Sequence, residues 1–186
     1  MTASRYASAG DAATSYQLQA RYGYDAFGRR NYREVLSPTI AERERQLYVH
    51  DGFDIDMIEE QRPRPTLYAT TRRTWYTLGG TDEMVALTDW DAATGVPAPA
   101  SHYYSTDHQG TVRALHDDAG NVVADLDHDS YGNPQVTVEA VAQPYRFTGR
   151  EWDRATGLYH YRAREYDPAT GRFLRGKTRS GSTPAT

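Results

Sequence analysis

Aspartate followed at a short fixed distance by glycine recurs along this chain, and that spacing limits what the chain can fold into. Glycine lies three residues after aspartate at Asp25–Gly28, Asp107–Gly110, Asp117–Gly120 and Asp129–Gly132. It lies four residues after at Asp91–Gly95, Asp153–Gly157 and Asp167–Gly171. Random placement of this many Asp and Gly predicts about two or three such pairs, so the excess marks an internal repeat. An aspartate carboxylate can accept from a backbone N–H two residues on and so nucleate a turn. The glycine then supplies the positive φ that closes the turn without Cβ strain. A chain turning this often has room only for short elements.

The segments between the turns read as strands. Thr111–His116, Asn121–Asp127 and Gln135–Val141 are mostly alternating and lie about ten residues apart, as hairpins of a meander do. Thr39–Val49 has good helix formers but a poor apolar stripe, and it runs into Asp51-Gly52, so a strand entering a hairpin is the expectation. Fifteen tyrosines stand against four phenylalanines, and hydrophobic residues make up only 38%. Tyrosine has an apolar ring and a polar tip, which suits a sheet with one hydrated face better than a dense aliphatic core. Residues 1–15 and 175–186 are small and polar and are expected to be loose tails around a β region at 16–174.

Four blocks carry a resemblance to a known family. Residues 24–29 read Tyr-Asp-Ala-Phe-Gly-Arg, which fits the Tyr-Asp-x-x-Gly-Arg repeat of the YD-repeat (Rhs) family. Tyr103–Leu115 and Val122–Pro134 are similar to the stretch near the end of Rhs proteins. Pro144–Leu174 resembles the family's core-associated signature through Phe147-Thr148-Gly149-Arg150, Gly157-Leu158-Tyr159, Tyr161 and Arg164-Glu165-Tyr166-Asp167-Pro168. The resemblance implies an all-β fold, an antiparallel hairpin meander of the YD-repeat type forming part of a spiralling β-cage wall. It also implies a toxin as cargo in the parent assembly and a secreted or cell-surface destination. After Phe173-Leu174 the chain reads Arg175-Gly176-Lys177 where the family has Asp-Pro-x-Gly-Leu, so a terminal shell segment without self-cleavage is expected, orphan or truncated. Residual self-processing by aspartates is the remaining variant of that reading.

The residues suggest little chemistry of other kinds. Gly171–Thr178 (GRFLRGKT) fits the phosphate-loop pattern, but the eight residues after it are not helix formers and leave no room for a βαβ unit. Asp125, Asp127 and Asp129 are spaced like the start of a calcium loop, yet Ser130 stands where glycine is needed and Val136 where a bidentate glutamate belongs. His102, His108, His116 and His128 show no zinc spacing. Glu151, Asp153, Glu165 and Asp167 could form an acid/base couple, but the resemblance makes Asp153 and Asp167 turn residues. Cysteine is absent, which excludes disulfides and thiolate catalysis.

Arginines cluster at Arg29, Arg30 and Arg33 and at Arg72 and Arg73, among aromatic residues, as in a nucleic-acid footprint. With a net charge of −4, the simpler reading is a solvated strand edge kept from pairing by its charges. Trp75, Tyr76, Trp90, Tyr103 and Tyr104 fit either cross-strand pairs or a carbohydrate-stacking strip. The first residues lack a signal-peptide apolar core, and no run is long enough to span a bilayer as a helix. The expectation is therefore a non-enzymatic scaffold without cofactor or metal. Its expected partners are other YD-repeat segments or further copies meeting at open sheet edges, not nucleic acid or a membrane. A secreted or surface β module that binds carbohydrate or a partner is the alternative.

Overall fold

The computed structural model describes residues 2–3, 20–36, 43–64, 67–80, 82–91 and 96–174. Eleven strands form one antiparallel sheet whose spatial order follows the sequence: β1 (Thr2–Ala3), β2 (Ala20–Tyr24), β3 (Arg30–Val35), β4 (Glu44–Asp51), β5 (Asp54–Pro63), β6 (Tyr68–Gly80), β7 (Glu83–Asp91), β8 (Val96–Thr106), β9 (Val112–His116), β10 (Val122–His128) and β11 (Pro134–Glu139). After a 3-10 turn at Phe147–Gly149, four short strands form a second antiparallel sheet: β12 (Glu151–Asp153), β13 (Leu158–Tyr161), β14 (Arg164–Asp167) and β15 (Arg172–Phe173). Among the described strands, each pairs with its neighbours in sequence, as expected of a meander. The fold is all-β.

Local chemistry explains the strands. The longest, β6, is rich in Thr, Tyr and Trp, residues that favour the pleated, half-buried surface of a sheet. The Thr39–Val49 region is a strand from Glu44 onward, and residues 37–42 lie outside the described ones. It ends in a two-residue loop, Gly52-Phe53, with Gly52 at φ 58°, which matches the twist of the flanking strands. Register shifts interrupt most of the hairpins from β2 to β11. Each such irregularity bends and twists the strand that carries it.

One face of the large sheet is covered. Tyr48, Ile58, Tyr76, Met84, Leu87, Val112, Leu115, Ala124 and Leu126 form its buried row, and Tyr145, from the segment after β11, closes over them. Tyr76 and Tyr145 meet edge to face, with ring centroids 5.1 Å apart. The core is thus the covered face of a strip, sealed by the chain that follows it. Of the expected N-terminal tail, Thr2–Ala3 pairs with Ala20–Arg21 at the sheet edge; residues 4–15 and 175–186 lie outside the described ones.

Candidate functional site

The aspartate–glycine pairs sit at hairpin tips in near-identical form. Asp25 accepts from the N–H groups of Phe27 and Arg29 at 2.9 Å each, and the Gly28 N–H donates to its carbonyl at 3.0 Å. Asp107 does the same for Gln109 and Thr111, Asp117 for Ala119 and Asn121, and Asp129 for Tyr131 and Asn133, all between 2.8 and 3.0 Å. Gly28, Gly110, Gly120 and Gly132 have φ of 80, 75, 83 and 87°. The Asn121 and Asn133 side-chain amides, followed by their backbone N–H groups, hold the Asp117 and Asp129 carboxyls below the usual range. Asp153 and Asp167 accept from Ala155 and Ala169 at 2.9 and 3.0 Å, with Gly157 and Gly171 again at positive φ. Asp91 lies at the end of β7, and Gly95 lies outside the described residues.

The four-stranded sheet has two unlike faces, and each meets a different part of the strip. In β12, Glu151 and Asp153 point one way and Trp152 the other. On the first face, Glu151 pairs with buried Arg30, and Asp153 receives Arg33 Nη2 at 2.6 Å and Nε at 3.0 Å. Tyr22 also donates its hydroxyl to Asp153. Burial pushes the Asp153 carboxyl up, but the two Arg33 hydrogen bonds, the Arg33 charge, Tyr22 and Arg30 outweigh it and hold the pKa at about 2. These contacts reach β2 and β3, the start of the strip.

On the second face, Trp152, Tyr159, Tyr166 and Phe173 are direct cross-strand partners and form an aromatic row across all four strands. Their successive centroids are 4.8, 6.4 and 5.2 Å apart. This row reaches the end of the strip. Tyr159 donates to the Gly132 carbonyl at 2.8 Å, and Tyr166 to the Tyr131 carbonyl at 2.9 Å. Phe147 packs beside Tyr159 and against the Gly132 turn. Arg146, almost fully buried, donates to Glu139 of β11 at 2.7 Å. A sheet tied to β2–β3 on one face and to the β10–β11 hairpin on the other is a cross-brace between the strip's two ends.

Two sequence readings change here. Arg30 and Arg33 are not a solvated edge: they are 4% and 7% exposed, on an interior strand. Their charges serve carboxylates about 120 residues away, which no local pattern signals. Arg72 likewise lies on interior strand β6 and grips Asp89 with two hydrogen bonds, while Arg73 binds Glu59 at 2.8 Å and stacks 4.9 Å over Trp90. The five aromatics do not form one strip either. Tyr76 and Tyr104 face the buried side, whereas Trp75 and Tyr103 are 39% and 46% exposed on the other.

The remaining candidates are scattered or committed elsewhere. Glu151 and Asp153 are held by arginines, Glu165 bonds His160 at 2.9 Å, and Asp167 closes its turn. Asp127 pairs with Arg113 while Asp129 closes its loop. Among the described residues no three metal-ligating side chains converge. His108 sits in the loop after β8, and His102, His116 and His128 are on separate strands. The phosphate-loop pattern begins on the β14–β15 turn and β15, and its residues 175–178 lie outside the described ones. No described helix is long and apolar enough to cross a membrane.

The comparisons agree with this geometry. The Teneurin YD-shell family model matches residues 95–184. The toxin protein Tse5 of Pseudomonas aeruginosa is 29% identical over 88% of this chain and 14% of its own length. The tRNA3(Ser)-specific nuclease WapA of Bacillus spizizenii is 27% identical over 83% of this chain and 6% of its own length. Among solved structures, TcdB2-TccC3 superimposes with a TM-score of 0.68 at 20% identity, covering 88% of this chain and 8% of that one. The Tc holotoxin pore of Photorhabdus luminescens gives 0.66 at 20% identity, covering 87% and 8%. The chain thus spans a small fraction of these relatives. A meander of aspartate–glycine hairpins, sealed by the segment with the core-associated signature, is similar to the YD-repeat (Rhs) shell proteins, a resemblance that the family model supports over residues 95–184.

Proposed function

We propose that this chain is a non-enzymatic wall segment of an Rhs-type shell, and that its core signature holds the curvature of the wall. The carrying observation is the cross-brace, whose charged face grips β2–β3 and whose aromatic face grips the β10–β11 turn. A curved strip has open ends, and a sheet fixed to both ends resists its flattening. The Asp–Gly turn residues act through backbone geometry: they reverse the strip at fixed intervals and leave their side chains no free chemistry. The carboxylates considered for acid/base work sit in ion pairs, a histidine contact or a turn, which favours scaffold over catalyst.

In the parent assembly the covered side of the wall faces inward, toward a polypeptide toxin as cargo, and the particle is destined for secretion or the cell surface. The resemblance to the toxin protein Tse5, many times longer than this chain, supports the cargo and the destination. Adjoining YD-repeat segments are the partners that extend the wall. Negative-stain electron microscopy of complexes purified on a tag attached to this chain tests the reading. Hollow particles are the expected result. Solid particles, or a tagged chain that purifies without any shell partner, would sink it.

A further inference from the structure

At one end of the strip the loops after β2, β4 and β6 meet the loops around Gly149 and Arg162. Between them lies a groove of about 300 Å³ walled by Phe27, Phe53, Ile55, Met84 and Tyr145. Small-molecule sites begin at roughly this volume, and they combine mostly apolar walls with a few placed polar groups. What the polar groups here have left to offer decides what the groove can take.

Its charges are already answered within the chain. Arg29 pairs with Asp25 and Arg30 with Glu151. Arg150 donates to both Asp82 oxygens at 2.9 Å, and Arg162 reaches Asp82 at 2.7 Å and Asp54 at 3.4 Å. An entering ion would break one of these pairs or stay unpaired between apolar walls, and either is costly. The groove therefore suits a neutral ligand.

His160 keeps a free bonding position. Its side chain is 9% exposed and lines the groove, and its Nδ1 meets Glu165 Oε1 at 2.9 Å. An ionised carboxylate only accepts, so Nδ1 carries the proton and Nε2 of the neutral ring is an acceptor. Among the described residues nothing bonds that Nε2. With Nδ1 turned to Glu165, Nε2 is the polar atom this ring has left for the groove. A ligand N–H or O–H is its complement.

The nearby backbone does not favour a peptide. The Gly52 carbonyl accepts from Arg29, and the Arg30 carbonyl accepts from His50 at 2.8 Å, so neither is free for a chain lying across the groove. The corner is also held rigidly. The described non-glycine residues with positive φ are Asp82, Thr148 and Arg162, at 62, 51 and 51°, and all three lie here. Strain of this kind collects at ligand clamps.

We propose that the groove binds a small neutral aromatic molecule carrying one hydrogen-bond donor, of the phenol or indole class. The ring lies between the apolar walls and the donor meets His160 Nε2.

Amide chemical-shift titration of the full chain tests this with phenol, anisole, benzoate and a doubly blocked tyrosine amide. Phenol should give saturable shifts at Gly28, Gly149 and Ala163, which line the groove. Anisole has the ring without the donor and should bind about tenfold more weakly, the worth of one hydrogen bond. Benzoate should leave these amides unmoved. His160→Phe should bring phenol down to the level of anisole, and Ile55→Trp should fill the groove and abolish both. Equal affinity of wild type for phenol and anisole overturns the proposal whether or not either variant folds. So does a lack of saturable shifts with phenol. Binding of the blocked tyrosine about tenfold tighter than phenol also overturns it, because the groove then belongs to a polypeptide side chain. None of these outcomes bears on the hollow-particle test of the shell reading.

Discussion

Glycines with almost the same φ differ in what surrounds them, and that difference decides how much each position matters. Gly28 and Gly132 have φ of 80 and 87°, but a Cβ at Gly28 would meet nothing within 4 Å. At Gly132 it would lie 2.5 Å from a Phe147 ring carbon. Gly28→Ala therefore carries only the left-handed strain of an L-residue, roughly 1–2 kcal/mol. Gly132→Ala adds displacement of Phe147 from its place beside Tyr159 and is expected to cost more, about 3 kcal/mol or above. Urea denaturation of the two variants checks the order; equal losses would mean that Phe147 is not seated against this turn. The turn geometry itself was legible in the sequence, because an Asx contact spans only two to four residues. The Phe147 contact was not, since nothing local links residue 132 to residue 147.

The small sheet shows how an element can be half legible. Its strands follow from the alternation of β12 and from turns that start at Asp153 and Asp167, but a strand does not announce what each face will meet. Glu151 and Asp153 read as turn or acid/base candidates until Arg30 and Arg33 appear opposite them. Acid should separate the two sides of the brace. His128, on β10 beside Phe147, has its pKa lowered to about 4, first by burial and then by Arg146 and Arg113, against the opposing pull of Asp127 and Asp107. Its folded pKa lies below the ordinary value of 6.5, so the folded state holds fewer protons, and stability falls as pH drops from 6.5 toward 4. Asp153, with its pKa at about 2 against 3.8, contributes stability that is lost only below pH 4, as pH falls toward 2. Thermal melts should decline in two stages. His128→Gln should flatten the upper stage and Asp153→Asn the lower; a single decline unchanged by either variant would refute the assignment.

At the scale of the whole molecule, the meander was visible in the sequence because each hairpin pairs only with its neighbours. The bracing was invisible because it joins residues 22–33 and 129–132 through a third segment at 151–166. If the small sheet couples the strip's ends, damage to one face should be felt at the other. Tyr159→Phe removes the buried hydroxyl that serves the Gly132 carbonyl, a loss of about 1–3 kcal/mol when an acceptor is left unsatisfied. Native-state hydrogen exchange should then quicken in β10 and β11, where the bond was lost. It should quicken as well in β2 and β3, whose Arg30 and Arg33 depend on the same sheet remaining seated. Sites this far apart without a shared partner ordinarily behave independently. Faster exchange confined to β10 and β11 would show two separate contacts and no brace, whereas faster exchange at both ends would mean that the strip and its small sheet open as one cooperative unit.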